Sequence, residues 1–496
     1  MTLPLFARAA QHADRIAVTD PLGAYSYRDL LQASEAVAAG LLAGAADLAE
    51  ARVAFLVPPG FDYVAVQWGI WRAGGIAVPL AVSHPRGELT YVVEDTAASV
   101  IVAHPDLVDR VRPIAEERGI RFLLTTELVH RSAERVDLPS LLPERRAMIL
   151  YTSGTTSRPK GVVTTHGNIQ AQVTTLTEAW NWRADDHILL VLPLHHVHGI
   201  INVLTCALWS GATCTIRPRF DSNEVWEIIA TGELTLFMAV PTIYSKLIDA
   251  WEAAPSERRA VLSAGCRRMR LMVSGSAALP VSTLERWREI SGHVLLERYG
   301  MTEIGMALSN PLHGERRPGY VGTPLPGVEV RLVDESGHAV APGTPGEIEV
   351  RGPSVFKEYW RRPEATAQAF REGWFRTGDV AVLENGSYRI LGRSSVDIIK
   401  TGGFKVSALE IEEVFRTHPQ LCECAVVGLQ DPEWGERVAL AVVTRGDEVT
   451  LSGLRDWARD RLAPYKLPTR LIILPELPRN AMGKVVKPAV AGLFKD

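Results

Sequence analysis

The sequence predicts an α/β protein of two domains, a large one over residues 1–393 and a smaller α+β one over residues 394–496. Three observations support this prediction. The chain of 496 residues is too long for a single hydrophobic core. Short apolar strands alternate with helical patterns in the first half of the chain. From about Pro318 the pattern changes to short alternating strands and turns, which predict a small β-barrel-like part within the large domain.

The first elements follow one another at the spacing of βαβ units. Ser26 and Asp29 form a capping box in front of a helix whose apolar residues recur at helical spacing. The next elements alternate in type, as strand 52–57, helix 61–72, strand 75–80, helix 88–95 and strand 99–103. Such alternation predicts a sheet of parallel strands.

Several later strands run directly into polar segments that contain glycine. Strand 147–150 leads into 151–161, strand 269–273 into 274–278, and strand 293–297 into 298–303. In open α/β sheets, ligands bind at the carboxyl ends of the strands. We therefore expect these three segments to meet in one ligand site.

The last hundred residues have the parts of a small α+β module. Ser407 and Glu410 form a capping box before an apolar helical pattern, and two strands follow at 424–428 and 438–444. A charged amphipathic helix is predicted from Leu454 onward.

Composition excludes several classes of protein. A formal charge of −4 without a basic stripe argues against nucleic acid as a partner. The five cysteines form no CxxC pair, so neither a disulfide framework nor a zinc site is expected, and a reducing, cytoplasmic location fits best. Residues 1–15 do not resemble a leader. Segment 199–216 lacks charges, but its Asn and Thr residues favour a buried soluble segment over an integral membrane span.

The segment 151–161, YTSGTTSRPKG, is suited to hold phosphate. Its glycines allow backbone N–H groups to converge on an anion, its hydroxyls add donors, and Lys160 adds a positive charge. It is not a P-loop, because Pro159 precedes the lysine and Gly161 follows it. A simple surface loop rich in Ser, Thr and Gly is the alternative interpretation.

Seven segments together resemble the adenylate-forming acyl-CoA synthetase superfamily in order and spacing, over nearly the whole chain. They are YTSGTTSRPKG (151–161), SGSAA (274–278), YGMTE (299–303), TGD (377–379), GR (392–393), KTGG (400–403) and PRNAMGK (478–484). The resemblance implies a ligase that converts a carboxylate and ATP into acyl-AMP and pyrophosphate, after which the thiol of coenzyme A displaces AMP. It also implies that Mg²⁺ is needed and that the C-terminal domain is mobile and carries the catalytic lysine.

The resemblance also implies a role for each site residue. The phosphates would be held by Thr152, Ser153, Gly154, Thr155, Thr156 and Lys160. The nucleotide would be held by Ser274, Gly275, Ser276, Ala277, Arg298, Tyr299, Gly300, Met301, Thr302, Asp379 and Arg393, with Tyr299 stacked on adenine and Asp379 on the ribose hydroxyls. Thr155 and Glu303 would bind the metal. Lys484 would bridge the carboxylate and the α-phosphate, His196 would screen the acyl entrance, and Lys400, Gly402 and Gly403 would line the path of coenzyme A.

Two positions depart from the family pattern. Ser157 stands where the family usually has Gly, and Ser395 stands where Asp or Lys is common. The second departure leaves the pivot between the domains assigned only to within a residue or two.

Within the superfamily, the segments 237–244, 269–271 and 296–303 resemble malonyl-CoA and methylmalonyl-CoA synthetases. The second carboxylate of malonate needs a cation, for which a guanidinium is best suited. We expect Arg270 to supply it, with His198 and Ser274 beside it and Arg298 as a second candidate, although Arg270 could instead be structural.

Other activities remain open at this point. A medium-chain fatty or aryl acyl-CoA synthetase and a stand-alone enzyme that loads a carrier protein share the same motifs. A luciferase-like oxidative enzyme and a non-catalytic nucleotide sensor are more distant alternatives. Both a monomer and a homodimer are compatible with the sequence.

Overall fold

The computed structural model describes residues 3–129, 136–152, 159–446, 449–479 and 485–494. The strands are β1 (Ile16–Asp20), β2 (Gly23–Ser26), β3 (Arg52–Leu56), β4 (Ile76–Pro79), β5 (Val100–Ala103), β6 (Arg121–Leu124), β7 (Arg146–Thr152), β8 (Lys160–Thr165), β9 (His187–Leu190), β10 (Thr213–Ile216), β11 (Leu236–Ala239), β12 (Leu271–Ser274), β13 (Leu296–Met301), β14 (Gly305–Ser309), β15 (Thr323–Pro324), β16 (Glu329–Val333), β17 (Gly346–Arg351), β18 (Glu358–Tyr359), β19 (Phe370–Arg371), β20 (Trp374–Glu384), β21 (Ser387–Arg393), β22 (Ile398–Thr401), β23 (Phe404–Ser407), β24 (Leu421–Asp431), β25 (Gly435–Thr444) and β26 (Arg470–Ile473).

The helices alternate with these strands through the first three hundred residues. They are α1 (Pro4–Gln11), α2 (Tyr27–Leu42), α3 (Phe61–Arg72), α4 (Arg86–Thr96), α5 (Val108–Arg118), α6 (Thr125–Leu128), α7 (His166–Ala179), α8 (Cys206–Ser210), α9 (Ser222–Thr231), α10 (Pro241–Ala253), α11 (Ser256–Arg267), α12 (Val281–Ser291), α13 (Pro363–Ala369), α14 (Ala408–Arg416), α15 (Leu451–Ala458) and α16 (Lys487–Gly492). A π-helix, His198–Thr205, precedes α8.

The predicted α/β class is confirmed, and the strands of the described ranges form four sheets. The largest has nine strands in the order β15-β14-β13-β12-β11-β9-β10-β1-β2, and the second has seven in the order β18-β8-β7-β4-β3-β5-β6. The central strands of both sheets are parallel. The short strands after Pro318 mostly form a five-stranded antiparallel sheet of β16, β17, β19, β20 and β21.

The cap predicted for α2 is present in full. The Ser26 hydroxyl accepts a hydrogen bond from the Asp29 amide, and the Asp29 carboxylate accepts one from the Ser26 amide. Two donors at the start of the helix are thereby satisfied. The apolar side of α2 then packs on α3, and both helices contribute to the main hydrophobic core.

The capping box predicted at Ser407 is only half formed. Its hydroxyl accepts a hydrogen bond from the Glu410 amide, but the Glu410 carboxylate lies 2.6 Å from the ammonium of Lys466. A full positive charge is a stronger partner for a carboxylate than a backbone amide, so the tertiary contact replaces the local one.

The C-terminal region has hydrophobic clusters made only of residues from Ile399 onward. Its two long strands, β24 and β25, extend well beyond the ranges 424–428 and 438–444 predicted for them. Helix α15 begins at Leu451, three residues before the predicted start. The domain boundary between residues 393 and 394 remains a prediction.

Two strand boundaries change the environment of predicted site residues. Strand β13 continues through Tyr299 to Met301, whereas the sequence predicted its end at residue 297. Lys160 begins β8, which is antiparallel to β7 with Thr152 opposite Lys160. The predicted phosphate segment therefore joins two paired strands rather than a strand and a helix. Within the described ranges, no helix is both long enough and apolar enough to cross a bilayer.

Candidate active site

The carboxyl ends of the parallel strands β11, β12 and β13 lie side by side in the nine-stranded sheet. The segment that follows β12 and the second half of β13 meet there, with the π-helix beside them. The sequence predicted that three segments would meet in one site. Two of them, 274–278 and 298–303, lie at this edge, whereas 151–161 follows β7 in the seven-stranded sheet. Three groups of side chains can be distinguished, around Arg298, Asp379 and Glu303.

Arg298 is a buried cation without an acidic partner among the described residues. Its side chain is 3% exposed, and both terminal nitrogens donate weakly to the Ser276 hydroxyl, at 3.4 and 3.5 Å. Its Nε atom has no partner in the described part of the chain. Burial lowers the pKa of Arg298 to about 10, so the group stays charged at neutral pH. A buried charge with so few ligands is suited to receive an anion.

The backbone after β12 is shaped to let Arg298 approach. A Cβ atom on Gly275 would lie 2.6 Å from the guanidinium carbon of Arg298, so a larger residue would displace the side chain. Ser276 adopts φ = +69°, a left-handed conformation that is strained for a residue with a side chain. This conformation brings the Ser276 hydroxyl between Arg298 and His198.

The three neighbouring histidines have different surroundings. His198 is buried, with Nδ1 3.2 Å from the Ser276 hydroxyl. Burial, together with the charge of Arg298, holds the pKa of His198 well below its ordinary value, so the imidazole is neutral. The ring centroid of His195 lies 4.1 Å from that of His196 and 5.5 Å from that of His84, so His195 packs between two other imidazoles. The screening role of His196 stays a prediction.

Asp379 joins two predicted nucleotide residues. It accepts hydrogen bonds from the Tyr299 hydroxyl at 2.6 Å and from Nε of Arg393 at 2.9 Å. Asp379 and Arg393 are cross-strand partners on β20 and β21, so the sheet register places them opposite each other. A ribose with two adjacent hydroxyls presents donors that suit this carboxylate.

Glu303 and Lys160 both contact Tyr359, Glu303 at the hydroxyl and Lys160 at the face of the aromatic ring. The Tyr359 hydroxyl donates to Oε1 of Glu303 at 3.0 Å, and the Lys160 ammonium lies 4.9 Å from the ring centroid. Glu303 is 5% exposed, and burial raises the pKa of its carboxyl group. A buried carboxylate is a suitable oxygen ligand for Mg²⁺.

The other predicted nucleotide residues occupy the same edge. Ser274 is fully buried at the end of β12, and its hydroxyl has no partner in the described ranges. Gly300 packs closely against β14, since a Cβ there would be 2.1 Å from the Gly305 oxygen. Ala277 lies three residues after the end of β12. Met301 is the last residue of β13, and Thr302 follows it.

The residues predicted to line the path of coenzyme A lie on the hairpin of β22 and β23. Gly402 and Gly403 have φ of +55° and +81°, which the tight turn requires. The backbone amides of Gly402 and Lys400 bond within the small C-terminal module, to the Trp434 oxygen and the Glu436 carboxylate.

Five predicted site residues lie outside the described ranges: Ser153, Gly154, Thr155, Thr156 and Lys484. The described residues that flank the gap around Lys484, Arg479 and those from Val485 onward, make contacts of their own. Arg479 and Val485 form an antiparallel bridge, and the Lys487 ammonium lies 2.6 Å from Asp397 and 2.8 Å from Glu412. Burial alone would lower the pKa of Lys487, but these two carboxylates raise it above its ordinary value.

The assignment of Arg270 to the substrate pocket is wrong. Arg270 immediately precedes β12, at the amino end of the strand, and the site lies at the other end, roughly 13 Å away for a strand of four residues. Its Nε and one terminal nitrogen bond both oxygens of the buried Asp186, at 2.7 and 2.6 Å, and the other bonds the Trp180 oxygen. Arg270 is therefore structural, the alternative that the sequence left open.

Sequence reasoning missed Tyr359 altogether. It lies in the segment EYWRRPEA, 358–365, which has no local feature typical of a nucleotide site. Tyr359 reaches Glu303 only because β18 adds to the edge of the seven-stranded sheet beside β8. Pairing over about two hundred residues cannot be read from local pattern.

Comparison with known proteins gives the family. The family model described as AMP-binding enzyme matches residues 5–360, and the one described as AMP-binding enzyme C-terminal domain matches residues 410–484. Malonate–CoA ligase ACSF3, mitochondrial, of Mus musculus is 48% identical over 98% of this chain and 90% of its own length. Malonate–CoA ligase of Arabidopsis thaliana is 41% identical over 97% of this chain and 86% of its own length.

Solved structures agree over the whole chain. ATP-bound MatB from Rhodopseudomonas palustris matches with a TM-score of 0.91 and 34% identity, covering 100% of this chain and 99% of that one. The o-succinylbenzoate CoA synthetase MenE of Bacillus subtilis, in complex with ATP and magnesium ion, matches with a TM-score of 0.86 and 28% identity, covering 98% and 99%. The motifs, the fold and these matches agree, and the chain belongs to the family of AMP-binding enzymes.

Proposed function

We propose that this protein is an ATP-dependent acid–CoA ligase that acts on malonate or methylmalonate. The observation that carries the proposal is the buried Arg298 guanidinium, which has Ser276 and His198 as neighbours and no acidic partner among the described residues. The names of the mouse and Arabidopsis relatives, both malonate–CoA ligases, support the same substrate.

The chemistry of malonate fits this group of side chains. Both carboxylates are ionised at neutral pH, and only one of them is activated, so the other must be held in the pocket as an anion. A guanidinium can bind it with two parallel hydrogen bonds. Ser276 can donate a further hydrogen bond, and neutral His198 can donate one from its ring N–H. A fatty acid would leave Arg298 buried beside a methyl terminus, which is unfavourable.

The nucleotide would be held by the second and third groups. We infer that Asp379 accepts both ribose hydroxyls and that Tyr299 leaves it to stack on the adenine. Glu303, together with Thr155, would hold Mg²⁺, which neutralises phosphate charge when bound. Lys160 would contact the β- and γ-phosphates. The MenE complex with ATP and magnesium ion supports this composition.

The reaction then proceeds in two balanced steps. The free carboxylate of the substrate attacks the α-phosphorus of ATP, and pyrophosphate leaves. Lys484, our proposed catalytic lysine, neutralises the charge that develops between the two anions. The sulfur of coenzyme A next attacks the acyl carbon, AMP leaves, and the thiol proton is released. Arg298 holds the remote carboxylate through both steps, so that the acyl carbon stays aligned.

The two steps use different parts of the C-terminal domain, residues 394–496 in our assignment. Lys484 serves the first step, and Lys400, Gly402 and Gly403 would serve the second as the path of the thiol. A cytoplasmic location stays a prediction, while the mouse relative is named as a mitochondrial protein. A fluorescent fusion of the full chain in its source cells checks the location.

A panel of acids tests the proposed activity. The purified chain is incubated with Mg-ATP and one acid at a time, with and without coenzyme A, and pyrophosphate, AMP and acyl-CoA are measured. We expect malonate and methylmalonate to outperform octanoate and benzoate, and AMP release to require free coenzyme A.

Preference for octanoate or benzoate would overturn the dicarboxylate assignment but keep the ligase. AMP release only with an added carrier protein would identify a loading enzyme. Pyrophosphate release with none of the acids would overturn the enzymatic proposal as a whole.

A further inference from the structure

Among the described residues, Tyr359 is the side chain that contacts both Lys160, the first residue of β8, and the carboxylate of Glu303, the proposed metal ligand. Its hydroxyl donates to Oε1 of Glu303 at 3.0 Å, while its ring faces the ammonium of Lys160, 4.9 Å from the centroid. Tyr359 is 8% exposed and Glu303 is 5% exposed. Tyr359 thus contacts both charged groups, Lys160 through the face of its ring and Glu303 through its hydroxyl.

The backbone fixes the position of the ring. Tyr359 pairs with Val162 on β8, and the amide of Trp360 donates to the Gly161 oxygen at 2.7 Å. The amide of Phe356 donates to the main-chain carbonyl oxygen of Glu303 at 2.7 Å. Segment 356–360 is therefore bonded both to the residue after Lys160 and to Glu303 itself.

This arrangement keeps the opposite charges of Lys160 and Glu303 from forming an ion pair. Opposite charges in a buried site attract strongly, and a direct Lys160–Glu303 ion pair would occupy the groups that phosphate and metal need. No ion pair between these two is present in the described part of the chain. The aromatic face offers Lys160 a weaker attraction, which a phosphate can replace. The phenol hydroxyl orients Glu303 without neutralising it.

We propose that Tyr359 is a positioning residue that keeps Glu303 and Lys160 separated and oriented for the metal and for the terminal phosphates of ATP. This inference rests on the proposed function. It adds a residue that acts through two others and touches neither substrate nor metal itself.

Two substitutions separate the two halves of this role. Tyr359→Phe removes the hydrogen bond to Glu303 but keeps the ring under Lys160. Tyr359→Leu removes both. A matched control is Tyr320→Phe, because Tyr320 is also buried and donates to a glutamate, Glu384, at 2.5 Å on the small antiparallel sheet.

Metal binding is measured without turnover. Mn²⁺ is titrated by electron paramagnetic resonance in the presence of α,β-methylene-ATP, whose α–β bridge cannot be cleaved, and nucleotide affinity without metal is measured by calorimetry. We expect Tyr359→Phe to weaken Mn²⁺ binding about tenfold, the usual effect of one hydrogen bond to a charged group, with metal-free nucleotide affinity nearly unchanged. Tyr359→Leu should weaken both.

The Mg²⁺ dependence of pyrophosphate release completes the test. The Mg²⁺ concentration for half-maximal rate should rise in Tyr359→Phe and stay at the wild-type value in Tyr320→Phe. Equal metal affinity in wild type and Tyr359→Phe would overturn the inference, as would an equal loss in Tyr320→Phe. If the wild type itself binds no nucleotide and releases no pyrophosphate, the proposed function fails instead.

Discussion

Two arginines, the half-buried Arg270 and the buried Arg298, lie at opposite ends of neighbouring strands in the nine-stranded sheet, and they differ in their charged partners. Arg270, at the amino edge, meets the carboxylate of Asp186, which is itself 2% exposed. Arg298, near the carboxyl ends of the strands, contacts the hydroxyl of Ser276, which in turn lies beside His198. The first charge is neutralised within the protein, whereas the second is left for a ligand.

The difference shows how a binding cation can be told from a structural one. Burying a charge is costly, and a protein offsets the cost with a counterion when the charge serves only the fold. At Arg298 the cost remains, since burial lowers its pKa and no carboxylate raises it again. Such an uncompensated group at a ligand-binding edge is the stronger functional candidate.

Replacing Arg298 tests this comparison with the largest expected effect. For Arg298→Met we expect kcat/KM for malonate to fall about a thousandfold, because a desolvated carboxylate loses its charged partner. The melting temperature should not fall, since the variant no longer buries an isolated charge. Steady-state pyrophosphate release and thermal unfolding are the measurements.

Arg298→Lys serves as the control, since it keeps the charge but not the planar fork. We expect an intermediate loss of activity on malonate. An Arg298→Met enzyme with undiminished activity on malonate would show that the second carboxylate is bound elsewhere.

Replacing Arg270 should lower stability and leave the preference among acids unchanged, the opposite of the result expected for Arg298. Arg270→Met leaves Asp186 buried without its partner, so we expect the free energy of unfolding to fall by about 3 kcal/mol. The ratio of kcat/KM for malonate to that for octanoate should stay at the wild-type value. Denaturant unfolding and the acid panel measure the two quantities.

A double variant sharpens this prediction. Removing both charges, as Asp186→Asn with Arg270→Met, should recover part of the lost stability, because no unpaired ion remains. A changed preference among acids in Arg270→Met would restore Arg270 as a specificity residue.

Glu297, next to Arg298 on β13, gives a smaller effect that depends on pH. It is buried, and the only described hydrogen bond to its carboxyl group is a long one from the Leu279 amide, at 3.4 Å. Burial, with a contribution from Glu413, raises the pKa of Glu297 to about 8. The folded protein therefore holds a proton that the unfolded chain loses near its ordinary pKa of about 4.3.

The sign of the pH effect follows from this proton. The stability due to neutral Glu297 is complete below the unfolded pKa and is lost as pH rises through the folded value of about 8. Only the folded wild type holds this proton over about three pH units between pH 5 and pH 8. We therefore expect Glu297→Gln, relative to wild type, to gain about 4 kcal/mol between pH 5 and pH 9. Denaturant unfolding across this range measures it. A constant difference between the two proteins would show that Glu297 is already ionised when folded.

Local patterns predicted the parts of the fold that depend on neighbours in sequence. The cap at Ser26 is formed as expected, since both its partners lie within three residues. The cap at Ser407 is only half formed, because Lys466, more than fifty residues later, attracts the carboxylate of Glu410. Strand ends were displaced for a similar reason, because strand length depends on the partner strand.

The residues of the candidate site likewise fall into those that the motifs predicted and those that depend on contacts between distant parts of the chain. The resemblance of its motifs to the family predicted Glu303, Tyr299, Asp379, Arg393 and Lys160 as site residues, and the structure places Tyr299 and Arg393 in contact with Asp379. The motifs could not rank Arg270 against Arg298, because the partner of Arg270 lies more than eighty residues earlier in the chain. Nor could they identify Tyr359, whose role depends on a strand pairing across about two hundred residues.

The sequence by itself determined the α/β class, the order of the elements and the family, because these follow from periodicity, capping and motif spacing along the chain. Tertiary structure decided which buried charge is neutralised and which is available. The physical reason is that the energy of a buried charge depends on what surrounds it in space, and at Arg298 and Tyr359 those surroundings come from distant parts of the chain.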